Sequence, residues 1–149
     1  MSKKVSLSEY VRRRNGVGLG DSRSMKNMLT RSFGAGSFYQ FWEYWNPIWG
    51  YYLSKLVMRP LTNSLPAWLA LVLTFGISGA VHDVAISLVK LRVSYFFTAW
   101  FLTMSLMVLF TNGLRISYKH LPWSLRALIN FTLIAGSFLL VTLVQVMYD

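Results

Sequence analysis

The sequence predicts an all-α integral membrane protein, in which an amphipathic helix at the membrane interface is followed by three transmembrane helices. One observation is compositional: 54% of the 149 residues are hydrophobic and only 13% are charged, more apolar surface than a soluble domain of this size can bury. The other is the presence of three long apolar stretches after residue 60, each able to cross a hydrocarbon core of about 30 Å.

Residues 1–37 form a basic segment, which we expect to be either flexible or bound to the membrane surface. Ten of the fifteen Lys and Arg residues precede Pro60, and the chain carries a net charge of +10. The run of Arg12, Arg13 and Arg14 suits anionic lipid headgroups, and the pyrophosphate of a coenzyme A donor suits the same charge. We expect membrane lipids rather than nucleic acid as partners, because the apolar stretches tether this segment to a bilayer.

The membrane domain, residues 38–149, begins with the aromatic string FYQFWEYWNPIWGYY. Trp and Tyr concentrate at the bilayer interface, so this string predicts an interfacial helix. Asn46 before Pro47 is typical of an N-cap followed by proline in the first helical position. The residue before Pro60 is biased away from the helical conformation, which bounds this helix at about residues 47–59.

The three predicted spans cover about residues 66–88, 93–111 and 125–147. A polar turn between Lys90 and Arg92 joins the first two as an antiparallel hairpin. With a cytoplasmic N-terminus, thirteen Lys and Arg lie inside and only these two outside, as basic residues usually distribute. We expect a multi-pass protein of a bacterial inner (plasma) membrane.

His82 and Asp83 are the only titratable side chains within the spans, apart from tyrosines and residues at the ends. An ionisable residue in a membrane helix is by default a functional hypothesis. The alternative for His82 is a neutral imidazole bonded to another helix or to interfacial water. Asp83 points about 100° away from His82 around the helix, so we expect it to pair with Lys90 or Arg92 rather than to take part in catalysis.

Thr74, Ser78 and His82 follow one another at four-residue intervals and so place a polar stripe along one side of the first span. Such a stripe fits a proton relay or a substrate groove. The alternative is that the Thr and Ser hydroxyls bond back to helix carbonyls four residues earlier. Gly76 and Gly79 narrow the same helix, and small residues let another helix approach closely.

Two strings of the sequence together resemble the membrane-bound O-acyltransferase (MBOAT) family: FWEYWNPIWGYYLSKLVMRPL at residues 41–61 and FGISGAVHD at residues 75–83. That family carries a Phe-Trp-x-x-Trp-Asn or Trp-His string on an amphipathic stretch and, further along, a histidine within a membrane helix. The matching residues are Phe41, Trp42, Trp45, Asn46 and His82. The resemblance covers roughly residues 31–110 and only the C-terminal part of a family member, as in a truncated or split one.

The resemblance implies transfer of an acyl group from a thioester, commonly acyl-coenzyme A, to a hydroxyl on a lipid, sugar polymer or protein. It implies His82 as the general base, since a neutral imidazole with a pKa near 6.5 can take a hydroxyl proton. Asn46 would donate its amide N–H to the oxygen of the attacked thioester, although it fits a helix cap alone equally well. Trp42, Trp45 and Ser78 are the expected substrate-binding residues.

The chain is short for such an enzyme, because members of the family surround the histidine with many more helices. We therefore expect another membrane subunit, or self-association, to complete the chamber. An acyl thioester is the expected co-substrate, and we predict neither a bound cofactor nor a metal site. Two alternatives remain open: a non-catalytic membrane subunit or anchoring module, and a small transport or proton-relay subunit that uses His82 and Asp83.

Overall fold

The computed structural model describes residues 5–148, and every regular element in that range is helical. Residues 1–4 of the predicted basic segment (residues 1–37) and Asp149 of the predicted membrane domain (residues 38–149) lie outside the described residues. The elements are α1 (Leu7–Asn15), α2 (Ser24–Phe33), α3 (Phe38–Tyr44), α4 (Pro47–Leu53), a π-helical turn (Ser54–Met58), α5 (Arg59–Thr62), α6 (Ala67–Lys90), α7 (Phe96–Gly113) and α8 (Trp123–Tyr148).

Helices α6, α7 and α8 are each long and apolar enough to cross a membrane. They coincide with the three predicted spans to within three residues at every end. Helix α6 packs along α7, and α7 packs along α8. The prediction of an all-helical chain with three candidate spans is therefore confirmed.

Residues 7–33 contain two helices, where the sequence predicts a flexible or surface-bound segment. Helix α1 begins after Ser6, whose Oγ accepts a backbone N–H of the first turn, and ends at Gly16, whose φ of 79° is left-handed. Arg31 of α2 donates to the carbonyl of Arg14 over 2.6 Å and so fastens the two helices together. Whether this helical segment is flexible or bound to a membrane surface stays a prediction.

Helix α3 lies in the centre of the fold. Its Phe38 and Phe41 are almost fully buried and pack with Ala35 and with Val108 of α7. Side chains from three other helices surround this cluster: Leu71, Phe75, Met107, Leu133 and Ile134. The aromatic string therefore supplies the core between the spans, which its composition alone does not reveal.

A continuous helical run from Pro47 to Thr62 replaces the helix predicted at residues 47–59. Its start is as predicted, because Asn46 Oδ1 accepts the backbone N–H of Trp49 over 3.2 Å. The run continues past Pro60, and the π-helical turn ends two residues before this proline, at Met58. In a regular α-helix the proline ring would clash with the carbonyl four residues earlier, and a π turn changes that spacing.

The interfacial position of this helix is not confirmed. Trp49 Nε1 donates to Ser78 Oγ over 2.9 Å, and Ser78 lies eleven residues beyond Ala67, the first residue of α6. At 1.5 Å per residue the contact is about 16 Å along α6, roughly halfway across a 30 Å core. An indole N–H that bonds a serine needs no interfacial water, and this contact joins Trp49 of α4 to the middle of α6.

Asp83 joins α6 to α7 by hydrogen bonds to backbone amides of α7, and not by the predicted ion pair with Lys90 or Arg92. The side chain is 4% exposed; its Oδ1 accepts the N–H of Phe97 over 2.9 Å and its Oδ2 that of Thr98 over 2.7 Å. The first N–H groups of a helix have no partner inside the helix, and a carboxylate satisfies them well. Asp83 therefore caps the start of α7.

Asn130 joins α8 to the link between α2 and α3. It is fully buried, accepts the hydroxyl of Tyr118 over 2.5 Å, and donates from Nδ2 to the carbonyls of Phe33 and Ala35 over 2.9 and 3.1 Å. Burial raises the pKa of Tyr118 to about 12, which keeps the hydroxyl protonated and able to donate. The connector between α7 and α8 thus meets the α2–α3 link at one end of the spans.

The close approach of α6 and α7 at Gly79 gives a testable prediction. An added Cβ would lie 2.6 Å from the carbonyl oxygen of Phe97 and 2.7 Å from Cα of Thr98, so Gly79→Ala should lose about 1–3 kcal/mol of unfolding free energy. Gly136→Ala in α8 is the matched control, because nothing lies within 4 Å of its Cβ position. Unfolding titrations in detergent measure both; equal losses would contradict this packing.

The capping role of Asp83 predicts a different outcome from an ion pair. Asp83→Ala should cost about 1–2 kcal/mol of stability, because two amides at the start of α7 lose their acceptor. Asp83→Asn retains one acceptor oxygen and should lose less. Arg92→Gln, which would break the ion pair predicted from sequence, should leave stability unchanged in the same titration; a loss as large as that of Asp83→Ala would refute the cap.

Candidate functional site

One pocket is lined by all five residues that the sequence singles out for a site: His82, Asn46, Trp42, Trp45 and Ser78. Its remaining walls come from α4, α6 and α7: Trp49, Gly50, Leu53, Thr74, Phe75 and Phe101. Water can occupy about 130 Å³ of it. The fold thus brings together two motifs that lie 36 residues apart in the sequence, measured from Asn46 to His82.

The imidazole of His82 is held in one orientation by its own helix. Its Nδ1 lies 2.7 Å from the carbonyl oxygen of Ser78, one turn earlier. A carbonyl can only accept, so Nδ1 carries the proton in this contact. In the neutral ring Nε2 then keeps its lone pair and is free to accept a proton.

Aromatic side chains fix the plane of the same ring. Phe97 and Phe101 of α7 face it at ring-centroid distances of 5.7 and 5.1 Å, and Trp49 meets it edge-on at 6.5 Å. Sequence reasoning missed these three as site residues. The available signal was the short turn between α6 and α7, which brings the start of α7 beside the end of α6.

Thr74 and Ser78 of the polar stripe make different hydrogen bonds, and only Thr74 follows the back-bonding alternative. Thr74 Oγ1 donates to the carbonyl of Ala70 over 2.7 Å, the back-bonding alternative. Ser78 instead accepts the indole N–H of Trp49 through its Oγ while its carbonyl accepts the bond from His82. Ser78 therefore positions two walls of the pocket.

Asn46 adopts a left-handed backbone conformation, with φ of 41°, at the junction of α3 and α4. Asparagine tolerates this region better than most residues. Its Oδ1 is engaged as the cap of α4, and its Nδ2 makes no hydrogen bond to any residue that the structure describes. The cap fixes the plane of the amide and leaves a donor free, so capping and donation to a ligand are compatible.

Trp42 and Trp45 form the apolar side of the pocket. Trp42 meets Phe75 edge-on with ring centroids 5.1 Å apart, and Trp45 stacks on Phe41 at 5.5 Å. Trp42 Nε1 is buried and lacks a hydrogen-bond partner within residues 5–148. Both indoles are held by the central aromatic cluster, which gives the pocket a rigid wall.

The pocket is open on one side, where Asn46 and His82 are exposed on the surface of the chain. Its volume is well below the approximately 300 Å³ at which ligand pockets usually begin. An exposed imidazole in a membrane-spanning helix is costly unless another polar group or water reaches it. The chain alone therefore presents part of a site.

A second cavity of about 440 Å³ lies on the other side of Trp45 and Asn46, which line both spaces. Its other walls come from α1, the α1–α2 turn, α2 and the start of α4. Among them is Asn15, which is 1% exposed and whose Oδ1 has no donor among the described residues. The N-terminal helices thus border the site from the side opposite His82.

Comparison of the chain with known protein families, with curated proteins and with solved structures finds no match.

Proposed function

We propose that this protein is a membrane-bound O-acyltransferase, or one part of a split one, in which His82 is the general base. The observation that carries the proposal is the bond between His82 Nδ1 and the Ser78 carbonyl. It leaves the basic nitrogen free on a residue that shares a pocket with Asn46, the one amide side chain there. The two MBOAT-like motifs in the sequence support the same assignment.

In the proposed reaction, His82 Nε2 takes the proton of an acceptor hydroxyl while the hydroxyl oxygen bonds to the thioester carbonyl carbon. The carbonyl oxygen becomes negative and accepts a hydrogen bond from Asn46 Nδ2. Collapse of the intermediate restores the carbonyl and breaks the carbon–sulfur bond. The departing thiolate takes the proton from the imidazolium, so that an ester and a thiol are released and His82 is neutral again.

The remaining site residues take supporting roles in this proposal. Trp42 and Trp45 give an apolar, rigid wall for the acyl group near the reacting carbonyl. Ser78, which the sequence suggests as a substrate ligand, is assigned to positioning because its hydroxyl and carbonyl already hold Trp49 and His82. No bound cofactor is invoked.

We place the thioester donor, for example acyl-coenzyme A, in the larger cavity beyond Trp45 and Asn46. That cavity adjoins α1 and α2, which carry Arg12 and Lys26 on exposed positions suited to phosphate groups. This arrangement fits a cytoplasmic N-terminus, where such donors are found, in a bacterial inner membrane. The same cations suit anionic lipid headgroups when no donor is bound.

A further subunit, or a second copy of the chain, would complete the site. A pocket of about 130 Å³ with an exposed histidine cannot enclose both substrates or exclude water. The proton-relay alternative is weakened because Asp83 is engaged at the start of α7. The non-catalytic alternative, an anchoring module, predicts no transfer with any partner.

The test is acyl transfer by the purified protein, alone and with the membrane protein encoded beside it, in lipid nanodiscs. His82→Gln keeps a polar side chain of similar reach but no base, and should lower the rate about 10²–10⁴-fold. Retained expression and helicity show that this variant is folded. Transfer at an undiminished rate would remove His82 from the mechanism.

Asn46→Asp separates the two roles of Asn46. Aspartate tolerates the left-handed backbone and caps α4 equally well, but it has no N–H to donate. We expect stability close to that of the wild type, with a loss of transfer equivalent to about 2.7–4 kcal/mol in the barrier. If the transfer rate falls only in proportion to the loss of stability, in Asn46→Asp and Asn46→Ala alike, Asn46 acts only as a helix cap.

A further inference from the structure

We propose that the connector between α7 and α8, together with the first turn of α8, binds the phosphate of an anionic phospholipid. The residues concerned are Arg115, Lys119, Trp123 and Arg126. The site is separate from the pocket of His82, and the inference does not depend on acyl transfer.

The described carboxylates are already engaged elsewhere in the chain. Three of them each pair with one arginine: Glu9 with Arg13, Asp21 with Arg23, and Glu43 with Arg14. The fourth, Asp83, caps α7. Within residues 5–148 no carboxylate remains to neutralise the three cations of the connector and of α8, so an external anion is the natural counter-charge.

Arg126 has a guanidinium that lacks an acceptor in the chain. The residue is half-buried in the first turn of α8, and its Nε is shielded from solvent without an acceptor among the described residues. It lies one turn before Asn130, whose bonds to Phe33 and Ala35 hold that face of α8 against the α2–α3 link. Because Arg126 is only half-buried, a phosphate can reach the rest of its guanidinium and match the planar array of donors.

Trp123 indicates a lipid rather than a soluble phosphate. It is 48% exposed although its Nε1 is tied to the Thr30 carbonyl over 3.0 Å. Leu125 and Leu128, on the other side of α8, are 45% and 59% exposed. A fixed and exposed indole at the end of an apolar helix is typical of the headgroup layer of a bilayer, and the exposed leucines match acyl chains around the helix.

The connector is fixed in place, so the cations do not depend on a mobile loop. Tyr118 donates its backbone N–H to the carbonyl of Gly36 over 2.8 Å. A Cβ on Gly36 would come within 2.7 Å of Lys119 Cβ, so the two segments are in close contact. Lys119 is nevertheless exposed, with its ammonium available at the surface.

The experiment compares two double variants that remove equal charge from opposite ends of the spans. Lys119→Gln/Arg126→Gln removes the proposed site, and Lys90→Gln/Arg92→Gln is the control at the α6–α7 turn. Each full-length protein is placed in nanodiscs of phosphatidylcholine with increasing phosphatidylglycerol. Native mass spectrometry then counts retained phosphatidylglycerol, and thermal unfolding gives its stabilising effect.

We expect phosphatidylglycerol to raise the unfolding temperature of the wild type and the control alike. The site variant should bind it about fivefold more weakly for each lost charge and retain fewer copies. Equal weakening in both double variants, or no effect of phosphatidylglycerol on the wild type, would overturn the proposal. Equal stabilisation by glycerol 3-phosphate in pure phosphatidylcholine would identify a free phosphate as the ligand instead.

A milder single variant tests the same site in case the double variant does not fold. Arg126→Lys keeps the charge but loses the planar fork, so it should retain general attraction to phosphatidylglycerol and lose the retained copies seen by native mass spectrometry. If Arg126→Lys retains as many copies as the wild type, Arg126 does not coordinate the phosphate and the proposed site is wrong.

Discussion

A polar side chain inside a hydrocarbon core has no water to bond, and this constraint explains how the helices are joined. Four of the contacts between elements contain a polar tie, that is, a hydrogen bond from a side chain. The ties are Trp49 to Ser78 between α4 and α6, Asp83 to the first amides of α7, Trp100 to Ser137 between α7 and α8, and Asn130 between α8 and the α2–α3 link. Apolar packing is non-directional, whereas these bonds hold only in one register, so they define the arrangement of the helices.

The pocket follows from the first of these ties. Ser78 uses its hydroxyl to hold Trp49 and its carbonyl to hold His82, so a single residue sets the distance between α4 and the imidazole. Asn46, which precedes α4, is thereby brought to the same pocket. What the chain does not supply is the outer wall, since His82 and Asn46 are exposed. That open side is where our proposal requires another subunit or a second copy.

Sequence reasoning predicted the spans and five of the residues that line the pocket, because apolar length and motif spacing are properties of the chain itself. It also predicted the cap at Asn46, which is a local interaction. It did not predict the contact of Trp49 with Ser78, because a tryptophan-rich face suits the interface and a serine-bearing helix equally well. The predicted partner of Asp83 was wrong, because the backbone amides that it binds are not visible in the composition of the sequence. Helices α1 and α2 were missed, because their folding depends on contacts such as that of Arg31 with α1.

The central claim is that Trp49 of α4 contacts the middle of α6, and a photo-crosslinker at position 49 tests it most directly. Benzoylphenylalanine in place of Trp49 reacts with neighbouring C–H bonds, and mass spectrometry of the product locates the attachment. The account predicts crosslinks within residues 74–82 of α6 in a lipid bilayer. Crosslinks to lipid alone, with none to α6, would place α4 at the interface and contradict the contact of Trp49 with α6 that forms the pocket.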